Sequence, residues 1–124
     1  MKILLVEDSP EVSLITVEYL TELGHQVVAV GTAELALQET PDGFDTVMTD
    51  VSLPGMSGID LAKVLLHSRP HLPVIIASGY GTLNLESLLG EHQQQVFVLS
   101  KPYDMATLEA TLLAAATVQS AARR

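Results

Sequence analysis

Five short apolar runs alternate with helix-like patterns along this chain, and that alternation restricts the fold more than any other feature. The runs are Ile3–Val6, Gln26–Val30, Phe44–Thr49, Pro73–Ser78 and Val96–Leu99. A short continuous apolar run marks a strand covered on both faces. Strands of this kind alternating with helices predict a doubly wound α/β fold, a parallel sheet with helices on both faces. Right-handed crossovers leave few arrangements for it. The length, 124 residues, suits one domain, and a hydrophobic content of 48% is enough for a real core.

The intervening segments carry their own start and stop signals. Ser9 is placed to cap a first helix, with Pro10 and Glu11 in its opening turn; Val12, Ile15, Tyr19, Leu20 and Leu23 recur at helical spacing, and Gly24 ends it. Thr32 can cap a second helix through about Glu39, with Leu35 and Ala36 facing inward. Ser57 can cap a third from Gly58 to about Ser68, with a stripe of Ile59, Ala62, Leu65 and Leu66. A fourth, short or irregular, is expected within 83–95, where Leu83, Leu85, Leu88 and Leu89 precede Gly90 and a polar run. Asp104 can cap a fifth, carrying Leu108, Leu112 and Leu113 to about Gln119, so the domain is read as 1–119 with a tail of 120–124.

Polar residues gather at the carboxyl ends of the strands. Glu7 and Asp8 end the first run, Asp50 the third and Ser78 the fourth, and Lys101 follows the fifth. In doubly wound sheets, ligands sit beyond those ends, where the strand order reverses. Singly, each residue has a plain structural explanation: a solvated loop acid, a helix cap, a surface lysine, a hydroxyl bonded to backbone. Five at one end of the sheet point instead to a site.

Three carboxylates brought together repel, and a hard divalent cation removes that penalty. Mg²⁺ takes oxygen ligands and keeps several waters. Asp8 and Asp50 are the expected direct ligands, with the backbone carbonyl of Ser52 beside them and Glu7 acting through water. A carboxylate can also attack phosphorus and become an aspartyl phosphate. Asp50 is the expected phosphoacceptor, Mg²⁺ and Lys101 would neutralise the phosphoryl oxygens, and the Ser78 hydroxyl would donate to one of them.

Composition excludes other classes. Fifteen acids against six bases, a net charge of −9, argue against nucleic-acid binding. The absence of cysteine excludes disulfides and thiolate metal sites and fits the cytoplasm. No apolar run approaches a bilayer span, and the first one ends in two acids rather than a small-residue cleavage site. The histidines His25, His67, His71 and His92 are scattered and form no metal-ligand spacing.

In combination and order, Leu-Val-Glu7-Asp8, Thr49-Asp50 to Gly58, Ala77-Ser78-Gly79 and Lys101-Pro102 resemble the receiver domain of two-component response regulators over nearly the whole chain. The resemblance implies a flavodoxin-like five-stranded sheet of order 2-1-3-4-5. It implies Mg²⁺-dependent transfer of phosphate to Asp50 from a histidine of a kinase or phosphotransfer protein, then a conformational shift read by a downstream protein. It also implies slow self-hydrolysis of the acyl phosphate and a cis Lys101-Pro102 bond.

One departure concerns the switch. The family usually places Tyr or Phe three residues before the lysine; here Val98 stands there and Phe97 is displaced by one, which turns it to the other face of the strand. Pro73 to Gly81 is partly similar to the Pro-Phe-x-Phe-Ala-Thr-Gly-Tyr motif of an atypical receiver subgroup, which also lacks the usual aromatic. Tyr80, Val98 and Pro102 are therefore the expected switch positions. The face formed by the fourth helix, fifth strand and fifth helix is the expected partner surface and is compatible with a homodimer.

Other readings stay open. An aspartate-nucleophile phosphatase commonly has a second acid two residues after its nucleophile, where this chain has Ser52. A flavin-binding domain of similar architecture needs a hydroxyl- and Gly-rich loop where this chain has Glu7-Asp8-Ser9-Pro10. A receiver can also act as a scaffold without phosphorylation, or be excised from a larger regulator or hybrid kinase. Met1 directly before the first strand points to a natural N-terminus, and without a DNA-binding segment output is expected through a partner.

Overall fold

The structure is a computed structural model describing residues 1–39, 43–79 and 95–122. These form β1 (Lys2–Val6), α1 (Pro10–Glu22), β2 (Gln26–Val30), α2 (Ala33–Gln38), β3 (Thr46–Asp50), α3 (Gly58–Ser68), β4 (Val74–Ser78), β5 (Val96–Ser100) and α4 (Met105–Ala122). The described helices thus number four. The short or irregular helix expected from residue 83 falls on 83–94, outside the described residues, and α4 is the last of the five expected.

The sheet runs β2-β1-β3-β4-β5. Every neighbouring pair is parallel, with Leu4 opposite Val28 and Val47, and Ile76 opposite Thr49 and Val98. This is the expected flavodoxin-like order, and it reverses between β1 and β3. Strand periodicity divides the core into two layers. Leu4, Val6, Val47, Val74, Ile76 and Val96 meet Ala33 and Ala36 of α2 and Ile59, Leu61, Ala62, Leu65 and Leu66 of α3. Ile3, Leu5, Met48, Ile75, Ala77 and Leu99 meet Leu20 of α1 and Leu108, Leu112 and Ala115 of α4.

The helix starts follow the sequence closely. The side chains of Ser9, Thr32, Ser57 and Asp104 accept hydrogen bonds from the amides of Val12, Leu35, Asp60 and Thr107, at 3.4, 3.1, 3.1 and 2.8 Å. Gly24, at φ +93°, closes α1 in the left-handed region that favours glycine.

Leu35, expected inward, is 46% exposed, and two members of the expected helical patterns also point outward: Ile15 is 49% exposed and Leu113 64%. In each case another residue of the same helix takes the core position. Thr16 and Leu20, one turn apart, are the buried pair of α1. Ala33 and Ala36 are the buried pair of α2, where small side chains let a six-residue helix lie close to the sheet. In α4, Leu108, Leu112 and Ala115 make a single stripe, and Leu113 lies one residue off it.

Candidate functional site

Each strand that supplies a site residue is held by one backbone hydrogen bond beyond its end. The Glu7 amide donates to the Val30 carbonyl (3.0 Å), the Val51 amide to Ala77 (3.1 Å) and the Lys101 amide to Ser78 (2.8 Å). The carboxyl edge of the sheet is therefore fixed where Glu7, Asp50, Ser78 and Lys101 leave it, next to the reversal of strand order.

Lys101 is the hub. Its Nζ lies 2.7 Å from Glu7 Oε1 and 3.2 Å from Asp50 Oδ2. Glu7 is almost fully buried, and its other oxygen, Oε2, accepts from the Ser9 amide at 3.5 Å. Burial pushes the Glu7 carboxyl above its ordinary value and the Asp50 charge adds to this, while the hydrogen bond and charge of Lys101 hold it back. Burial draws Lys101 the opposite way, but the hydrogen bond and charge of Glu7, joined by Asp50, outweigh it. Its pKa is raised, so the ammonium stays charged.

Asp8 is exposed and completes an acidic cluster. Oxygens of Glu7, Asp8 and Asp50 all lie within 4.8 Å of one another. Three carboxylates facing one ammonium leave an excess of negative charge, and a set of hard oxygen donors fits Mg²⁺. Lys101 takes up one oxygen of Glu7 and one of Asp50, while Asp8 is exposed and Asp50 partly exposed.

A cavity of about 330 Å³ opens beside Asp50, lined by Asp50, Val51, Ser52, Ser78, Gly79 and Lys101. Ser52 and Ser78 are thus brought to the acid, Ser52 exposed and Ser78 4% exposed. Of the expected switch positions, Val98 is 36% exposed on β5, while Phe97 turns to the other face and packs against the α1–α4 core layer. The Lys101-Pro102 bond is cis, as expected. Tyr80 lies outside the described residues.

Three contributors were not anticipated in the sequence. Gly58 opens α3 hard against the Asp50 backbone: a Cβ there would collide with the Asp50 carbonyl, its carbon 2.9 Å away. Glu34 Oε1 accepts from the Met56 amide at 3.0 Å and ties the β3–α3 loop to α2. Thr16 Oγ1 and the Tyr103 hydroxyl meet at 2.6 Å beside Lys101. A glycine after Ser57 and a tyrosine after Lys101-Pro102 were visible signals; the Glu34 and Thr16 contacts span 22 and 87 residues and left no local pattern.

Comparison with known proteins agrees with this fold. The model of the response regulator receiver domain matches residues 3–113. The response regulator protein FleR of Pseudomonas aeruginosa is 34% identical over 108 residues, 86% of this chain and 23% of FleR. The sensor protein TorS of Escherichia coli is 33% identical over 106 residues, 82% of this chain and 11% of TorS. Nodulation protein W of Bradyrhizobium diazoefficiens is 33% identical over 124 residues, 98% of this chain and 53% of that protein. The chain thus spans only part of these relatives, from about a tenth to about half of their length. Among solved structures, a response regulator receiver protein of Sinorhizobium medicae superposes with a TM-score of 0.81 at 27% identity, covering 98% of this chain and 95% of that one. The signal receiver domain of an HD domain-containing protein of Pseudomonas fluorescens gives 0.83 at 25% identity, with 97% of each chain covered. With the motif residues gathered at one end of a 2-1-3-4-5 sheet, these matches show that the chain belongs to the response regulator receiver domain family.

Proposed function

We propose that Asp50 is the phosphoacceptor of this receiver domain, taking a phosphoryl group from a histidine of a kinase or phosphotransfer protein. The observation that carries this reading is the placement of Asp50: a partly exposed carboxylate at the mouth of a cavity, 3.2 Å from Lys101 and within 4.8 Å of two further acids. Its carboxylate would attack phosphorus as the P–N bond of a phosphohistidine breaks, and the imidazole would leave with the bonding pair and take a proton from solvent. Mg²⁺, when bound, supplies positive charge against the phosphoryl oxygens. Asp8, Asp50 and the Ser52 carbonyl would hold it, with Glu7 reached through water. Lys101 contributes a second fixed cation, and the Ser78 hydroxyl lines the space those oxygens would enter. Water attack on the same phosphorus would cleave the P–O bond and return free Asp50, a slow self-phosphatase activity rather than turnover of an external substrate.

The state of Asp50 would be read by a partner protein. Val98 stands three residues before the lysine and Pro102 directly after it, and together with Tyr80 they are the positions where we place the switch. The exposed Val98 of β5 gives an apolar contact point on the face assigned to a downstream partner or a second copy of the chain. Among the described residues, no helix is long and apolar enough to cross a membrane. We place the domain in the cytoplasm, where kinase phosphodonors are made.

The test is incubation with Mg²⁺ and acetyl phosphate, read by intact mass. A gain of one phosphoryl group, absent in Asp50→Asn and without Mg²⁺, is the expected result. No gain with acetyl phosphate or phosphoramidate would overturn the reading in favour of a scaffold.

A further inference from the structure

The short connection from β5 to α4 carries Lys101, and the structure holds it at two places. On one side the Lys101 amide donates to the Ser78 carbonyl at 2.8 Å. Pro102 has no N–H to give. On the other side the Tyr103 hydroxyl reaches α1 and meets Thr16 Oγ1 at 2.6 Å. Thr16 is 1% exposed, a buried polar residue on the face of α1 that otherwise presents Leu20 to the sheet. A threonine there is costly unless its hydroxyl is paired, and Tyr103 pairs it. The ring of Tyr103 also packs against the core layer of α1 and α4. Burial raises the Tyr103 pKa, so the phenol stays neutral and the hydrogen bond persists at physiological pH.

We propose that Tyr103, anchored by Thr16, is a positioning residue for Lys101. The inference rests on the reading of Asp50 as acceptor and deepens it. Among the described residues, the Tyr103 hydroxyl bonds to Thr16 and to neither acid. It fixes the backbone two residues after the lysine, and so the point from which the ammonium reaches Glu7 and Asp50. The contact between the two side chains joins positions 87 residues apart. It links the site to α1, where Val12, Ile15, Thr16 and Tyr19 form one wall of an open groove of about 420 Å³, with Lys101 and Tyr103 on the other.

The experiment compares Tyr103→Phe, Thr16→Val, Thr16→Ser and the Tyr103→Phe/Thr16→Val pair in the full chain. The first readout is the initial rate of phosphoryl uptake from acetyl phosphate at saturating Mg²⁺. Loss of one positioning hydrogen bond should slow uptake about threefold to tenfold in Tyr103→Phe and Thr16→Val. The double variant should be no slower than either single one, because the same bond is lost in all three. Thr16→Ser keeps the hydroxyl and should restore the rate, which a purely volumetric role of Thr16 would not allow. Mg²⁺ affinity should stay within about twofold of the parent, since no metal-binding carboxylate is touched.

The second readout does not need phosphorylation. The Lys101 side-chain ¹⁵Nζ resonance in NMR should shift toward that of a free lysine in Tyr103→Phe and Thr16→Val, and not in Thr16→Ser. If the parent chain takes up no phosphoryl group, the acceptor reading fails, and this resonance still decides the positioning role. Rates within about twofold of the parent together with an unmoved resonance, or additive losses in the double variant, would overturn the proposal.

Discussion

Lys101 is paired more closely with Glu7 than with Asp50: its ammonium stands 2.7 Å from the buried glutamate and 3.2 Å from the aspartate. Glu7 is therefore the group that depends on Lys101. Lys101→Ala would leave a nearly buried carboxylate without its counter-charge, at a cost of about 1–3 kcal/mol. Urea unfolding should show that loss in chelator and a smaller one in Mg²⁺, because a cation among the three acids replaces part of the missing charge. Phosphoryl uptake should fall about a hundredfold, the usual cost of one missing electrostatic donor. Unchanged stability in chelator would show that Glu7 does not rely on the pair.

The acidic cluster makes an opposite prediction for Asp8. Its carboxylate lies within 4.8 Å of those of Glu7 and Asp50 and is exposed, so it adds repulsion, and among the described residues it accepts no hydrogen bond. At that distance two like charges in a water-like dielectric repel by about 1 kcal/mol. Asp8→Asn should therefore raise the thermal midpoint in chelator by a few degrees. If Asp8 is a ligand, as proposed, the same change should weaken Mg²⁺ binding at least about tenfold, measured by calorimetry, through the loss of its charge. A variant both less stable and unaltered in Mg²⁺ affinity would mean that the cluster is no metal site.

The sequence foreshadowed the strand ends better than the helix faces, for a physical reason. Parallel strands buried on both sides read as continuous apolar runs, so each run ends visibly, and Glu7, Asp50, Ser78 and Lys101 could be placed from the ends alone. Caps were equally legible, since Ser9, Thr32, Ser57 and Asp104 act within three residues of themselves. Ile15, Leu35 and Leu113 went the other way because an apolar residue near a helix stripe looks the same in sequence whether it faces the sheet or solvent. Thr16 could not be assigned to the core until Tyr103, 87 residues on, was seen to satisfy its hydroxyl. Gly58 was visible as a helix start but not as a steric requirement, because the carbonyl it must clear belongs to Asp50, eight residues earlier in the chain.

That requirement is testable with one methyl group. A Cβ at Gly58 would meet the Asp50 carbonyl and come within 3.1 Å of Thr49 Oγ1. The obstacle is backbone rather than the end of a flexible side chain, so α3 or the end of β3 must move. Gly58→Ala should cost about 1–3 kcal/mol, as other overpacked sites do, and should displace Asp50 from Lys101. Gly79 is the control: it lines the cavity beside Asp50, and a Cβ there meets nothing within 4 Å among the described residues. Gly79→Ala should leave stability within about 0.5 kcal/mol of the parent. Equal stability of the two variants by urea unfolding would refute the steric account of Gly58.

The β3–α3 loop, which carries the Ser52 carbonyl, is clamped from outside by Glu34. Its Oε1 accepts from the Met56 amide at 3.0 Å, and Gly55, at φ +74°, leaves the room for that carboxylate: a Cβ there would stand 2.8 Å from the same oxygen. The backbone hydrogen bond from Met56 holds the Glu34 carboxyl below the ordinary glutamate value. For an acid with a lowered folded pKa, the stabilising contribution is fully present above the unfolded value and is lost as pH falls through the folded one. The clamp should therefore be intact at neutral pH and release only below the ordinary glutamate range. The Met56 amide resonance, followed by NMR on acidification, should show an inflection there. Glu34→Gln should abolish the inflection while keeping the amide protected from exchange, because its carbonyl oxygen still accepts. Glu34→Ala should lose both, and Mg²⁺ affinity should fall with them if the Ser52 carbonyl is a ligand. An inflection that persists in Glu34→Gln would assign the titration to another acid and remove Glu34 from the loop's support.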